Sequence, residues 1–192
     1  CRTSGKVGDE QGLSILLVDA FAEGIVRTDL TNIDGFKSAN VQFNNVCVSS
    51  SNLLSAQGEA ASVLREVFKS AITLLCAEAV GAMEVLLDAT VQYSKDREQF
   101  DKPIGSFQAL KHSIVDMFIA LESSSAVLMG TAAMVEAGSC SDRDISILKA
   151  QIGEAGRYIG QQAVQVHGGM GMTDEVTVCL LYTSDAADEE DS

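Results

Sequence analysis

The stretch Tyr93–Gln108, "YSKDREQFDKPIGSFQ", concentrates cations and aromatic rings in an otherwise acidic chain. Lys95, Arg97 and Lys102 all fall within it, at a predicted helix break. An arginine in such a place can bind a phosphate through two parallel hydrogen bonds, which a lysine cannot do. The alternative is a solvated basic loop, because cations are also favoured near the carboxyl end of a helix. Composition alone favours that second interpretation.

A second stretch, Gln165–Val176, reads "QVHGGMGMTDEV" and follows a long helical pattern. Gly168 and Gly169 can simply stop the helix, or they can be bare backbone that lets a phosphate-bearing ligand come close. The G-G-x-G of this stretch is a poor dinucleotide-binding fingerprint. The glycine motif of dinucleotide-binding proteins follows a strand, whereas this stretch follows a helix. His167 is explained by the favourable interaction of a histidine with a helix C-terminus, without a catalytic role.

Two regions of different pattern must position these stretches. Between residues 12 and about 54, apolar runs alternate with turn-rich pieces, which predicts antiparallel strands over "LSILLV", "GIVR" and "VQFNNVCV". The alternation of Val41 and Phe43, and then of Val46 and Val48, predicts a half-buried pair whose phase shifts at Asn44 and Asn45 through a turn or a bulge.

From about residue 61 onward, apolar residues recur every three or four positions, which predicts three long helices. They should cover about 62–94, about 107–138, and a third segment capped by Ser141. Gly153, Gly156 and Gly160 lie inside the third helix, and close approach to another helix would explain them. The predicted apolar stripes are Val63, Val67, Phe68, Ala71, Leu74, Leu75, Val80 and Met83; Ile114, Met117, Phe118, Leu121, Leu128 and Met129; and Ile145, Leu148, Ile152, Ala155, Ile159, Ala163 and Val166.

The predicted fold class is therefore α+β, with a truncated antiparallel β domain over residues 1–58 and an up-down bundle of long helices over 59–178. Residues 179–192 are acidic and continue no amphipathic stripe. This tail resembles a translated cloning or sequencing adapter, and a solvated acidic terminus is the alternative. We expect the chain to be a fragment of a longer protein.

Composition excludes several classes of partner. A net charge of -14, from 27 acidic and 13 basic residues, argues against binding to nucleic acids or to anionic membranes. No apolar run approaches the roughly 18 to 20 residues that span a bilayer. Five well-separated cysteines without a C-x-x-C predict neither disulfides nor zinc, and they fit a cytoplasmic protein best. His112 has no second ligand at metal spacing, so no metal site is predicted.

The two motifs together resemble the acyl-CoA dehydrogenase family. Its pattern at these places is R-x-Q-F-G-x-P-I-x-x-F-Q followed by Q-x-x-G-G-x-G, and the chain has "REQFDKPIGSFQ" and "QVHGGMG" in the same order. The segments "GLSILLVDAFAEGIVR" and "DGFKSANVQFNNVCV" are similar to the end of that family's middle β domain. The resemblance covers nearly the whole chain up to about Val176.

The resemblance implies an FAD site built where the C-terminal four-helix bundle of one subunit meets its neighbour. Arg97 and Gln99 would contact the FAD pyrophosphate across the subunit interface, and Phe100, Phe107 and Gln108 would line the same region. Residues Gln165 to Gly169 would lie against the adenosine part, where Gly168 and Gly169 let the backbone come close. Asp101 replaces the family's usual glycine, which puts the geometry of that turn in question.

The resemblance also implies α,β-desaturation of an acyl-CoA thioester, in which a carboxylate removes the Cα proton and FAD accepts a hydride from Cβ. The chain has no catalytic base at either family position: one lies beyond the G-G-x-G segment, and the other falls on Ala71. The family's Asp and Arg near the substrate fall on Lys69 and Ile72. No catalytic residue is therefore assigned.

Two explanations of the missing base stay open. The base can belong to sequence beyond this fragment, or the protein can be the non-catalytic, FAD-supporting subunit of a heteromeric acyl-CoA dehydrogenase, as in steroid or dicarboxylate catabolism. The resemblance implies acyl-CoA as substrate and homo- or hetero-oligomers with other subunits of the family. A helical assembly module without cofactor is the function from a different class, and the isolated chain is not expected to turn over substrate.

Overall fold

The computed structural model describes residues 1–32 and 37–172, which form three long helices and two small antiparallel sheets. In chain order the elements are β1 (Ile25–Thr31), β2 (Lys37–Phe43), α1 (Ala60–Asp96), β3 (Glu98–Gln99), β4 (Lys102–Pro103), α2 (Gln108–Glu136) and α3 (Asp142–His167). The predicted α+β class is confirmed. The tail from residue 179 lies outside the described residues.

The chain divides into two compact units, Cys1–Phe68 and Lys69–Ser192. The predicted domain boundary between residues 58 and 59 stays a prediction. The first unit contains the β1–β2 sheet, in which Ile25 lies opposite Phe43 and Thr31 opposite Lys37. The second contains most of α1 and the remaining helices.

The predicted strand over "LSILLV" is wrong: Leu13 and Leu16 make only isolated bridges, to Arg2 and Glu59 and to Leu53 respectively. The strand predicted over "VQFNNVCV" ends at Phe43, because Asn45 has a left-handed φ of 52° that interrupts the ladder. The predicted turn or bulge at Asn44 and Asn45 therefore ends the strand.

The β1–β2 sheet is more exposed than the alternation predicts. Val41 is 45% exposed and Phe43 is 62% exposed, so the expected half-buried face is wrong for these two residues, whereas Val46 and Val48 are half-buried. The burial pattern of both strands is mostly exposed. An alternating strand buries its apolar side chains only where a second layer covers them.

One apolar core joins the three long helices. Met83, Leu86 and Leu87 of α1 cluster with Met117 and Leu121 of α2 and with the buried row of α3. Every member of the stripe predicted for α3 is buried, so that prediction is confirmed: Ile145, Leu148, Ile152, Ala155, Ile159, Ala163 and Val166. Full burial of the Ile, Leu and Val side chains among them contributes roughly 1.5 to 3 kcal/mol each.

The stripes predicted for α1 and α2 are only partly correct. Met83 and Met117 are buried, but Leu74 is 71% exposed and Met129 is 74% exposed. The other predicted stripe residues found exposed are Val63, Val67, Phe68, Leu75 and Phe118. Both helices are apolar on more than one side, so periodicity alone cannot identify the face that enters the core.

The ends of the helices follow the predicted capping rules. The Ser141 Oγ accepts a hydrogen bond from the Asp144 backbone N, while an Asp144 carboxylate oxygen accepts one from the Ser141 backbone N at 2.9 Å. This reciprocal capping box starts α3. At the end of α2, Gly138 adopts a φ of 64° and its backbone N donates to the Val135 carbonyl, which confirms the predicted stop there.

The explanation given for the α3 glycines fails at Gly153. A Cβ built on that residue would have no atom of the described residues within 4 Å, so no described helix requires a glycine there. Gly160 is buried in the same helix.

The expectation that no apolar stretch is long enough to span a membrane is also wrong. By length and composition alone, α1 and α2 would both qualify, with mean hydropathies of 1.7 and 1.5 over 18 residues. This is weak evidence, because the core helices of soluble bundles qualify in the same way.

Candidate functional site

A small hairpin carries the first motif directly after α1. Glu98 lies opposite Pro103, and Gln99 lies opposite Lys102. The backbone of Arg97 is fixed on both sides, because its N donates to the Tyr93 carbonyl at 2.9 Å and its carbonyl accepts from the Ile104 N at 2.8 Å. The arginine therefore projects from an anchored backbone position and not from a free loop.

The hairpin turns through Phe100 and Asp101, which both have positive φ, 57° and 62°. Two left-handed residues in a two-residue hairpin loop are the pattern of a type I′ turn. A glycine would adopt this conformation freely, and aspartate tolerates it better than most residues. The turn thus forms although Asp101 stands where the family pattern has glycine.

Aromatic contacts support the hairpin from the start of α2. The ring of Phe100 meets that of Phe107 edge to face at 6.1 Å, and the Lys102 Nζ lies 4.4 Å from the centroid of the Phe107 ring. Phe100 nevertheless remains 85% exposed. Gln99 and Gln108 are also exposed, and the Gln99 side chain donates to the Glu98 carbonyl.

Among the described residues, no ion-pair partner occupies the guanidinium of Arg97. Its side chain is exposed and, within residues 1–32 and 37–172, has no carboxylate within ion-pair distance. An arginine so presented can take a phosphate with both of its terminal nitrogens.

A cavity of about 430 Å³ lies beside the hairpin, between the end of α1 and the start of α2. Its lining includes Val91, Ile114 and Val115, with Lys95 and Lys111 as the charged members. None of the eight predicted cofactor-binding residues lines it. The predicted cofactor-binding residues therefore lie outside this cavity.

The second motif begins at the last turn of α3. Gly168 has φ 60° and ψ -139°, and its backbone N donates to the carbonyls of Gln165 and Val164. The following residues, Gly168–Met172, form a short 3₁₀ helix. A Cβ on Gly168 or on Gly169 would have no atom of the described residues within 4 Å, and Gln165 is exposed. The backbone of both glycines is thus open to a ligand.

The structure links the two motifs through a pair of aromatic rings. The Tyr93 ring near the end of α1 stacks on the His167 ring at the end of α3, with centroids 4.4 Å apart and an interplanar angle of 25°. His167 is only 4% exposed, and its Nδ1 lies 2.8 Å from the Ala163 carbonyl oxygen. The predicted interaction with the helix C-terminus is confirmed, but the sequence interpretation missed the stack.

The donor groups of these residues are of the kind that would suit the adenosine diphosphate part of FAD, the cofactor that the family resemblance implies. Arg97 offers a bidentate donor for a pyrophosphate, Gln99 and Gln165 offer amides, and Gly168 and Gly169 offer open backbone. The same residues offer no metal site, and no three His, Cys, Asp or Glu side chains of the described segments cluster as ligands would.

The family resemblance places an Asp near the substrate at the position of Lys69, and one of the two positions of the catalytic base at Ala71. The Lys69 Nζ donates to the Cys140 carbonyl at 2.9 Å and lies 3.6 Å from an Asp142 carboxylate oxygen. Its side chain is only 13% exposed. Lys69 therefore connects α1 to the start of α3, and Ala71 has no group that accepts a proton.

Cys76 is the buried thiol of the core, and burial raises its pKa, an effect that the charge of Lys149 partly offsets. A thiol with a raised pKa is a poor nucleophile at neutral pH. Cys76 is therefore a packing residue.

Comparison with known proteins gives a family match over most of the helical region. The family profile described as "Acyl-CoA dehydrogenase, C-terminal domain" matches residues 59–186. "Acyl-CoA dehydrogenase IpdE2" of Mycolicibacterium smegmatis is 39% identical over 113 residues, which are 59% of this chain and 35% of that protein. "Acryloyl-CoA reductase (NADH)" of Anaerotignum propionicum is 27% identical over 90% of this chain and 44% of its own.

Solved structures agree with the fold. A glutaryl-CoA dehydrogenase in complex with glutaryl-CoA superimposes with a TM-score of 0.85 at 26% identity, over 92% of this chain and 46% of its own. Butyryl-CoA dehydrogenase from Megasphaera elsdenii superimposes with a TM-score of 0.87 at 24% identity, over 97% of this chain and 49% of its own. The chain spans less than half the length of these proteins.

Proposed function

The chain belongs to the acyl-CoA dehydrogenase family, and on that premise we propose that it contributes one half of an FAD site to an enzyme that desaturates acyl-CoA thioesters. The observation that carries this proposal is the exposed guanidinium of Arg97 on a hydrogen-bonded hairpin, where no carboxylate of the described residues pairs with it. In this role Arg97 binds the FAD pyrophosphate of a neighbouring subunit, with Gln99 beside it.

The second motif binds the adenosine end of the same cofactor. Gln165 presents its amide at the last turn of α3, and the open backbone of Gly168 and Gly169 admits the cofactor closely. Phe100, Phe107 and Gln108 line the region between hairpin and helix. An oligomer supplies the flavin-facing half from another subunit.

When bound, FAD supplies the acceptor for the hydride that leaves Cβ of the acyl chain, so the substrate is oxidised by two electrons. The residues of this chain hold and orient the distant end of the cofactor. Binding energy at such a remote end can position the reacting end without touching it.

The carboxylate that removes the Cα proton comes from outside the described residues, or from a partner subunit. Ala71 cannot accept a proton, and the Lys69 ammonium group already donates to the Cys140 carbonyl. Both explanations stated for the missing base stay within this proposal. The relatives with which the chain compares are named as dehydrogenases and reductases, so we rank the purely structural assembly subunit second.

The full-length protein tests the proposal directly. We expect it to purify yellow, with the absorption bands of oxidised flavin, and anaerobic addition of a suitable acyl-CoA should bleach those bands. A panel of short, branched, dicarboxylic and steroid-derived thioesters would identify the substrate class. A protein that stays colourless with added FAD, alone and with co-expressed partner subunits, would contradict the proposal.

A further inference from the structure

The Tyr93–His167 stack joins the ends of two helices that carry different halves of the proposed FAD site. Tyr93 lies four residues before Arg97, and its carbonyl accepts the hydrogen bond from the Arg97 N at 2.9 Å. His167 immediately precedes Gly168. A displacement of either ring would therefore move a segment that contacts the cofactor.

His167 is held in one orientation by a second contact. Its Nδ1 lies 2.8 Å from the Ala163 carbonyl oxygen, and a carbonyl oxygen only accepts, so Nδ1 carries the proton. The ring is buried at 4% exposure and lies nearly parallel to that of Tyr93. A fixed, buried ring can transmit the position of one helix end to the other.

We propose that Tyr93 and His167 are positioning residues, which keep the Arg97 hairpin and the Gly168–Met172 segment in one fixed relation so that both bind the same FAD. This inference rests on the proposed function. Neither ring needs to touch the cofactor. Loss of the stack would leave both half-sites intact but let them move independently, which weakens binding.

Four variants separate the ring contact from the polar groups. Tyr93→Leu and His167→Leu remove one ring each, whereas Tyr93→Phe and His167→Phe keep an aromatic ring at the same place. Leu148→Ala is the matched control, because it removes a fully buried side chain of the same helix far from the stack. It should destabilise the protein without changing the FAD affinity of the folded form.

Two measurements are made on full-length protein. In FAD-free protein, amide hydrogen exchange should rise at residues 168–172 in Tyr93→Leu, and at 98–102 in His167→Leu, by about two- to tenfold. In titrations, both leucine variants should bind FAD about tenfold more weakly. Both phenylalanine variants should stay close to wild type in each measurement.

The inference would be overturned if amide exchange stayed at the wild-type rate at residues 168–172 in Tyr93→Leu and at residues 98–102 in His167→Leu. It would also be overturned if the phenylalanine variants lost as much FAD affinity as the leucine variants. An equal loss of affinity in Leu148→Ala would also overturn it, since general destabilisation would then suffice. A wild-type protein that binds no FAD would contradict the proposed function itself. The exchange data would still decide whether the stack couples the two segments.

Discussion

Gly105 lies directly against Ser94: a Cβ built on the glycine would be 2.9 Å from both the carbonyl oxygen and the hydroxyl oxygen of Ser94. This contact holds the segment after the hairpin against the end of α1. Gly105→Ala should therefore lower the free energy of unfolding by about 1 to 3 kcal/mol, because backbone must move to admit the methyl group. Urea denaturation measures the change.

The matched control for that substitution is Gly130→Ala in α2. A Cβ there would meet nothing within 4 Å, and Gly130 is exposed inside a helix. Replacement by alanine should stabilise the protein by up to about 1 kcal/mol, through helix propensity alone. Equal effects of the two substitutions would show that the Gly105 contact with Ser94 is unimportant.

The left-handed conformation of Asp101 predicts a stabilising substitution. Asp101→Gly removes the cost of placing a side chain at φ 62° and should raise the free energy of unfolding by about 1 kcal/mol. Asp101→Val should lower it, because a β-branched residue is strained there. Thermal denaturation of the two variants compares them, and a glycine variant less stable than wild type would refute the turn geometry.

The capping box of α3 predicts a dependence on pH. Hydrogen bonds from Ser141 lower the pKa of the Asp144 carboxyl below its ordinary value of 3.8. A lowered folded pKa means that the stabilisation is present above the unfolded pKa and is lost as pH falls through the folded value. The stability advantage of wild type over Asp144→Asn should therefore disappear in acid, below pH 3.8.

Ser141→Ala should cost about 1 kcal/mol at neutral pH, because it removes the N-cap acceptor. Ser146→Ala is its control, because the Ser146 hydroxyl donates to the Asp142 carbonyl within the same helix. It should change stability by less than about 0.5 kcal/mol. Denaturant titrations at neutral pH give the free-energy changes of both serine variants. The same titrations over a pH series compare wild type with Asp144→Asn, and a difference in the free energy of unfolding that stays constant at all pH values would contradict the role of Asp144.

Gly168 and Gly169 should respond differently to alanine. Gly168 has φ 60° with ψ -139°, so Gly168→Ala should destabilise the protein by about 1 to 3 kcal/mol. Gly169 has ordinary φ and open space at its Cβ, so Gly169→Ala should leave stability nearly unchanged. If the cofactor approaches that backbone, Gly169→Ala will nevertheless weaken FAD binding. Calorimetry and FAD titration together separate the two effects.

The α3 helix could be predicted from the sequence almost completely, because its apolar residues form one stripe and Ser141 gives an unambiguous N-cap. The faces of α1 and α2 could not, since Leu74 and Met129 extend the apolar pattern beyond the side that packs. The β region was overestimated, because strands need neighbours that the periodicity of "LSILLV" does not reveal.

The two motifs of the candidate site could be identified from the sequence, but the contact that connects them could not. The positions of Arg97 and Gly168 follow from the sequence patterns, whereas the contact of Tyr93 with His167 joins helix ends more than seventy residues apart. Long-range contacts of this kind leave no periodic signal. The sequence offered one indication of this contact: Tyr93 and His167 both carry aromatic rings, and both lie near the ends of helices that lead into the two motifs.

The most direct test of the account is the FAD affinity of Arg97→Gln in full-length protein, measured beside Arg97→Lys and the control Arg157→Gln. Arg157 is exposed on α3 and belongs to neither motif. Loss of a charged, bidentate contact should weaken FAD binding by about 10- to 100-fold in Arg97→Gln, with partial recovery in Arg97→Lys and no change in Arg157→Gln. An Arg97→Gln protein that binds FAD as tightly as wild type would contradict the assignment of this hairpin to the cofactor.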